Sequence, residues 1–373
     1  MHSFPRRARA AMVALLAVLS LTAGAAEDGA GKAIVLGQSV ALTGPGSALA
    51  VPFQQGARLW FERVNAAGGI GGRRIELVTL DDKGAPATTA ANTKKLLDQG
   101  VLSLFGYFGS PQVTAAYPLV KDGDVVLFAP MAAADEFRGA AYGNVWSVRP
   151  GYAEEAVAIT RHAETLGARK LAILYGTDGE SLAALDAAER TMPHLGANLV
   201  AKQGLAAGAV DKTLASKPES VLVVGDATQA AGAVRELRAK GFRGTVYAFS
   251  SSGESLLAQE LGTAGTGVVV VRVVPKSDST KVPVVRELLA DAQAAKLGKP
   301  NVYMLEGYLA ARVYTEALRR MAKGDPSRAK LRKALEGMDD LDVGGFRVSY
   351  TDNRAGSRLV ELSLIDSQGR VRE

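Results

Sequence analysis

The 373-residue chain contains no cysteine. Disulfides, thiol nucleophiles and cysteine-ligated zinc are therefore excluded, as is lipid attachment to a cysteine behind a leader. Histidine is almost as scarce, at three residues. Past the N-terminal segment only His162 and His194 remain. Both fall on or beside expected helices, without a second histidine at metal-ligand spacing, so both read as surface residues. No G-x-S-x-G elbow occurs, and Ser250, Ser251 and Ser252 have no histidine near them in sequence. The chain therefore signals neither an enzyme nor a metal or cofactor site. Aromatic residues make up 6% of the chain, and no basic run is interleaved with them, which speaks against nucleic-acid binding. Beyond the N-terminus no apolar run reaches the roughly 20 residues of a spanning helix.

What the N-terminus does have is the layout of a secretory leader. Arg6, Arg7 and Arg9 precede an apolar run from Ala10 to Leu21, and Ala23-Gly24-Ala25 supplies small residues at cleavage spacing. Residues 1–25 are expected to be removed near Ala25 or Ala26, leaving an unlipidated protein in the periplasm. The formal charge of +6 owes three units to those arginines. A chain of this length exceeds what one hydrophobic core usually serves, so two domains are expected. Its 47% hydrophobic content fits a folded chain.

Strand and helix patterns alternate in two rounds. The first has strands near Ala33–Val40, Ile75–Leu80, Leu102–Tyr107 and Val125–Ala129, joined by helices near Pro52–Ala66, Ala87–Gln99 and Pro111–Lys121. The second has strands near Lys170–Tyr175, Ala197–Lys202, Ser220–Val224, Thr245–Phe249 and Val268–Val274. Its helices lie near Tyr152–Leu166, Glu180–Met192, Gln229–Lys240 and Glu254–Leu261. Apolar strands alternating with helices imply parallel sheets covered on both faces, here two Rossmann-like α/β lobes. After Pro275 come helices near Val282–Lys296, Val302–Ala322 and Pro326–Leu335, then a polar, hairpin-like end.

Leu42 to Asp82 reads LTGPGSALAVPFQQGARLWFERVNAAGGIGGRRIELVTLDD. Phe53, Ala57, Trp60, Phe61 and Val64 make one apolar helical face, and Gly68-Gly69 stop the helix. The glycines of Gly44-Pro45-Gly46 do not make a dinucleotide loop: the third glycine position falls on Leu49, and Asp81 lies far beyond the ~20-residue spacing of a ribose-binding acid. The T-G-P, Q-G-A-R and N-A-A-G-G-I-G-G-R-R-I wording closely resembles the leucine/isoleucine/valine-binding protein family, the type I periplasmic solute receptors of ABC importers. The resemblance runs from about Ile34 to the C-terminus. It implies a three-strand hinge, with crossings near Ser147–Pro150, Val274–Lys276 and Asp340–Gly345. Lobe 1 would comprise 31–147 plus 276–341, and lobe 2 would comprise 148–275 plus 342–373. Two sequential domains joined by one linker are the competing layout. The resemblance also implies a monomer that captures an amino acid or related small carboxylate between the lobes and docks on an inner-membrane ABC permease. A ligand-sensing receptor coupled to a signalling protein is the alternative.

In open parallel sheets, ligands sit beyond the carboxyl ends of strands. The turn Gly106-Tyr107-Phe108-Gly109-Ser110-Pro111 has Ser110 placed as a helix cap with proline behind it. In the resemblance Ser110, with Phe108 and Gly109, matches the serine turn that holds a ligand carboxylate. Met131, Ala132 and Ala133 stand where the receptors end a small-residue turn in threonine, and Ser250 where they place an acid for the ligand ammonium. Leu49, Asp178 and Ala227 match positions of aromatic walls. Asp178 or Asp226 would be needed to restore the missing negative charge. Tyr152 would wall the cleft, with Asn301 and Tyr303 near its edge.

Overall fold

The computed structural model describes residues 32–321, 324–351 and 354–372; the expected leader lies outside them. Strand β1 (Ile34–Val40) leads into α1 (Ser47–Ala66), β2 (Ile75–Asp81), α2 (Pro86–Asp98), β3 (Ser103–Phe105), α3 (Ser110–Ala116), β4 (Leu127–Phe128) and β5 (Val145–Trp146). These strands form a parallel sheet in the order β2-β1-β3-β4-β5. Then come α4 (Tyr152–Thr165), β6 (Lys170–Tyr175), α5 (Gly179–Thr191), β7 (Asn198–Gly204), α6 (Ala209–Ala215), β8 (Ser220–Val224), α7 (Ala227–Ala239), β9 (Thr245–Ala248), α8 (Glu254–Leu261) and β10 (Val268–Arg272). The chain closes with α9 (Pro283–Ala294), α10 (Val302–Arg320), α11 (Arg328–Glu336), β11 (Leu341–Asp342), β12 (Arg347–Val348), β13 (Glu361–Ile365) and β14 (Val371–Arg372). The second sheet runs β14-β13-β10-β9-β8-β6-β7, parallel except where β13 meets β10 and β14 meets β13.

The two-lobed α/β architecture follows from burial. Strands such as Ser220–Val224 and Val268–Arg272 are buried throughout, which requires helices on both faces of the sheet. In the first lobe Phe105, Phe128 and Tyr314 make a contiguous aromatic set with ring centroids 5.2–6.1 Å apart. Ser103 and Tyr314 share a buried hydroxyl–hydroxyl hydrogen bond of 2.7 Å. The Trp60 indole donates to the Thr315 hydroxyl at 2.7 Å, fixing α1 against α10. A fully buried side chain such as Phe53 contributes about 1.5–3 kcal/mol.

Four local features differ from the sequence expectation. Helix α1 begins at Ser47 with Pro52 inside it, whereas Pro52 had suggested a helix start. The proline removes one intrahelical donor without ending the helix. Strand β5 is two residues long and shows no period, and α6 was not anticipated. His162 is half-buried, with Nδ1 2.8 Å from the Tyr247 hydroxyl, instead of free at the surface.

The chain passes between the sheets after β5 and again between β10 and α9, since Val284, Val285 and Leu288 pack in the core that holds α1 and α10. Val343, Phe346, Val348 and Tyr350 join that same core, while β13 joins the second sheet. The third passage therefore comes after Tyr350, later than the expected Asp340–Gly345, because the hairpin buries its apolar side chains on the first lobe. The first and third passages lie side by side. The Ser147 N–H donates to the Arg354 carbonyl at 2.7 Å, and the Ser357 N–H donates to the Val148 carbonyl at 3.0 Å.

Candidate ligand-binding cleft

Sheet order locates the site. Strand β1 lies between β2 and β3, and β6 lies between β7 and β8, so each sheet reverses its winding there. Crevices open beyond the carboxyl ends of strands at such switch points. A cavity of about 390 Å³ occupies the place where the two crevices face each other. From the first lobe, Pro45, Gly46 and Leu49 follow β1, Gly84 and Pro86 follow β2, and Phe108, Gly109, Pro111 and Gln112 follow β3. Met131 follows β4. From the second lobe, Arg149 and Tyr152 come off the first crossing and Asp178 to Ser181 follow β6. Gly225, Asp226 and Gln229 follow β8, and Ser251 follows β9.

The loop carrying Pro45 is held by Asp81, which accepts from the N–H groups of Leu42 and Thr43 at 3.0 and 3.3 Å and from the Thr43 hydroxyl at 2.7 Å. Asp82, its neighbour, is buried and accepts from Ser39, Thr89 and Gly84. The acidic pair thus shapes the wall. Gly46 adopts a φ of 81°, and a Cβ there would lie 2.3 Å from the Phe108 ring. Only glycine gives both the left-handed turn and the close approach.

Ser110 is buried behind the wall formed by Gly109 and Pro111. Its hydroxyl accepts from the Ala134 N–H at 3.3 Å, so the hydroxyl serves the β4 loop. Its backbone N–H is the group that reaches the cleft, donating to Glu180 Oε2 at 2.6 Å. The other oxygen of Glu180 accepts from the Tyr152 hydroxyl at 2.6 Å. Burial, then the Glu180 charge, raises the Tyr152 phenol well above its ordinary range, so it stays a donor. Helix α5 also approaches α3 closely, with Pro111 against Gly179. The two lobes are in contact here.

Asp178 and Asp226 line the cavity as N-caps of their own helices. Asp178 accepts from the Ser181 N–H at 2.9 Å and the Ser181 hydroxyl at 2.6 Å, and Asp226 accepts from the Gln229 N–H at 2.8 Å. Ala132, Ala133 and Ser250 are set back from it. The Ala133 carbonyl accepts the Tyr152 N–H at 3.0 Å, and the Ala132 carbonyl faces Arg138. Asn301 caps α10 through the N–H groups of Tyr303 and Met304; neither Asn301 nor Tyr303 lines the cavity.

Beneath the cleft lies a buried charge cluster that sequence reasoning missed. Arg149 donates to Glu155 at 3.1 Å, to Glu306 at 3.4 Å and to the Ser250 hydroxyl. Ser250 in turn donates to Glu155 through its N–H at 2.9 Å and its hydroxyl at 2.7 Å. Glu155 sits on α4 of the second lobe and Glu306 on α10 of the first, so Arg149 ties both to the first crossing. Burial alone would lower the Arg149 pKa, but Glu306 and Glu155 outweigh it and raise it. Both carboxyls are pushed up by burial, with Arg149 opposing. Arg138, half-buried, donates to the carbonyls of Ala134, Arg149 and Pro150. Burial, then the Arg149 charge, brings it down to about 10. The available signal was Arg149 itself, a charge inside the otherwise apolar crossing Val145–Pro150. Among the described residues no group of three or more His, Asp or Glu is placed to hold a metal.

A cleft between two switch-point crevices, floored by crossing strands, is the architecture of a two-lobed solute receptor. Residues 33–368 match the family model described as periplasmic binding protein. The chain belongs to that family, within its leucine-binding group, and its relatives are substrate-binding proteins, not enzymes. It is 24% identical over 334 residues to a leucine-, isoleucine-, valine-, threonine- and alanine-binding protein of Pseudomonas aeruginosa, covering 84% of this chain and 85% of that one. An extracellular ligand-binding receptor from Verminephrobacter eiseniae shares the fold at a TM-score of 0.83 and 28% identity, with 91% of this chain and all of that one covered (100%). A fatty acid ABC transporter substrate-binding protein from Thermomonospora curvata superposes at a TM-score of 0.81 with 22% identity, covering 91% of each chain. Among the described residues no helix is long and apolar enough to cross a membrane.

Proposed function

We propose that this receptor captures an α-amino acid, or a related small carboxylate, in the inter-lobe cleft and delivers it to an inner-membrane ABC permease. The observation that carries the reading is the Ser110 N–H, which already holds a carboxylate, that of Glu180, at the cavity wall. Apolar Leu49, Phe108 and Met131 suit a ligand with a nonpolar side chain. The relatives' amino-acid and fatty-acid ligands are carboxylates as well. In this reading the mature monomer begins near Ala25 or Ala26 and works in the periplasm without a lipid. Lobe 1 comprises 32–147 with 276–350, lobe 2 comprises 148–275 with 357–372, and hinge closure brings α5 onto α3.

A thermal-shift screen of the mature protein, unfolded and refolded to remove carried-over solute, tests this. A ligand at a hundred times its Kd stabilises by about 2.7 kcal/mol, a readily measured shift. The panel pairs α-amino acids with their deaminated acids, fatty acids and neutral amides. A rise with carboxylates is expected; a rise with amides alone overturns the reading.

A further inference from the structure

An α-amino acid brings two charges into the cleft, and the second has no evident partner. A buried ammonium needs an anion. Ser250 is neutral, and its hydroxyl is engaged by Arg149 and Glu155. Asp178 has both oxygens on Ser181, and Asp226 is bound into the cap of α7. Glu155 lies beneath the floor, fully buried against Arg149. Glu180 differs from all of these. It lines the cavity, belongs to one lobe, and is held across the cleft by the other through a single N–H, while Tyr152 holds its second oxygen.

The geometry points to Glu180 as the residue that selects α-amino acids over plain carboxylates. The inference rests on the reading of the cleft as a carboxylate site. The ligand carboxylate takes the Ser110 N–H from Glu180. Glu180 swings aside while its other oxygen stays on the Tyr152 hydroxyl, and it becomes the counter-ion of the ligand ammonium. Carboxylate and ammonium are attached to the same carbon of the ligand. A carboxylate displaced from the first by little more than its own width therefore comes within reach of the second. One charge-assisted hydrogen bond at Ser110 replaces another, and an ion pair is gained.

Net charge argues the same way. The wall carries Asp178, Glu180 and Asp226, and the charge of Arg149 is already shared between two glutamates. A zwitterion adds no charge to this wall. A deaminated acid adds a negative one and pairs with nothing.

The test is calorimetric titration of the mature protein with leucine, valine, threonine and alanine and with the 2-hydroxy acid of each. The proteins compared are the native one, Glu180→Gln, Tyr152→Phe and Leu49→Trp. The native protein is expected to prefer the amino acids. Glu180→Gln is expected to weaken amino-acid binding roughly 10- to 100-fold, the size of a lost hydrogen bond to a charged group, while hydroxy-acid binding holds or tightens. Tyr152→Phe, which frees one oxygen of Glu180, is expected to narrow the preference without changing the far-ultraviolet circular dichroism. Equal effects of Glu180→Gln on both ligand types overturn the inference, because Glu180 would then only compete or only shape the wall. A native preference for the hydroxy acids, or no binding of these amino acids, overturns it too. Amino-acid binding that survives Leu49→Trp unchanged instead removes the cleft reading itself.

Discussion

Gly56 and Gly307 stand where α1 and α10 cross, each against the other helix's backbone. A Cβ at Gly56 would lie 1.9 Å from the Met304 carbonyl oxygen, and one at Gly307 would lie 1.9 Å from the Phe53 carbonyl oxygen. Neither neighbour is a side chain that can turn away. Gly56→Ala and Gly307→Ala are each expected to lower stability by about 1–3 kcal/mol, the cost of overpacking. Urea unfolding at neutral pH measures it. The double variant should cost less than the sum of the two, since one separation of the helices relieves both clashes.

Arg149→Met leaves Glu155 and Glu306 buried without their shared cation, and an expected loss of about 3–5 kcal/mol follows from breaking such a buried cluster. The loss should depend on pH. Burial already raises both carboxyls above their ordinary 4.5, and without the guanidinium they rise further. A carboxyl raised on folding contributes stability below its unfolded value and loses it as pH climbs through the folded value. The gap between native and variant stability is therefore widest at neutral pH and narrows as pH falls toward the ordinary glutamate range. A gap that is constant or widens on acidification, followed by denaturant titrations at several pH values, would contradict this account.

Asp178 separates capping from ligand binding. Asp178→Ala removes the side-chain acceptor for the Ser181 N–H and is expected to cost about 0.5–2 kcal/mol. Asp178→Asn keeps an acceptor oxygen and should recover most of that. Amino-acid affinity is expected to fall far less in Asp178→Asn than in Glu180→Gln, measured by titration. A fall matching that of Glu180→Gln would transfer the counter-ion role to Asp178.

The fold was legible wherever apolar spacing is local. The bounds of Lys170–Tyr175, Ser220–Val224 and Glu254–Leu261 coincide with those read from the sequence, because turn residues flank each run. Val145–Trp146 was not legible, since two residues have no period. The third crossing was misplaced because the 341–350 hairpin is polar in pattern yet buries Val343, Phe346, Val348 and Tyr350. In the cleft, the loop after β3 was named from its strand-to-helix turn, and those after β1, β6 and β8 from the family resemblance. Which side chain reaches across could not. Glu180 reads as an ordinary acid in a first helical turn, and its contact with Ser110 joins residues 70 apart in sequence.

The interlock of α1 with α10 also orders events in time. Strands β6 to β10 and the helices between them occupy one uninterrupted stretch, 170–272, so the central part of the second sheet can assemble from local contacts as the chain emerges. The first sheet cannot be completed this way. The apolar face of α1, with Phe53 and Trp60, has to wait for residues 302–320, and closing so long a loop slows folding. Until then that face is the sticky surface of the unfinished protein. A chain shortened before Val302 is the form that should aggregate, even with every residue of the first sheet present.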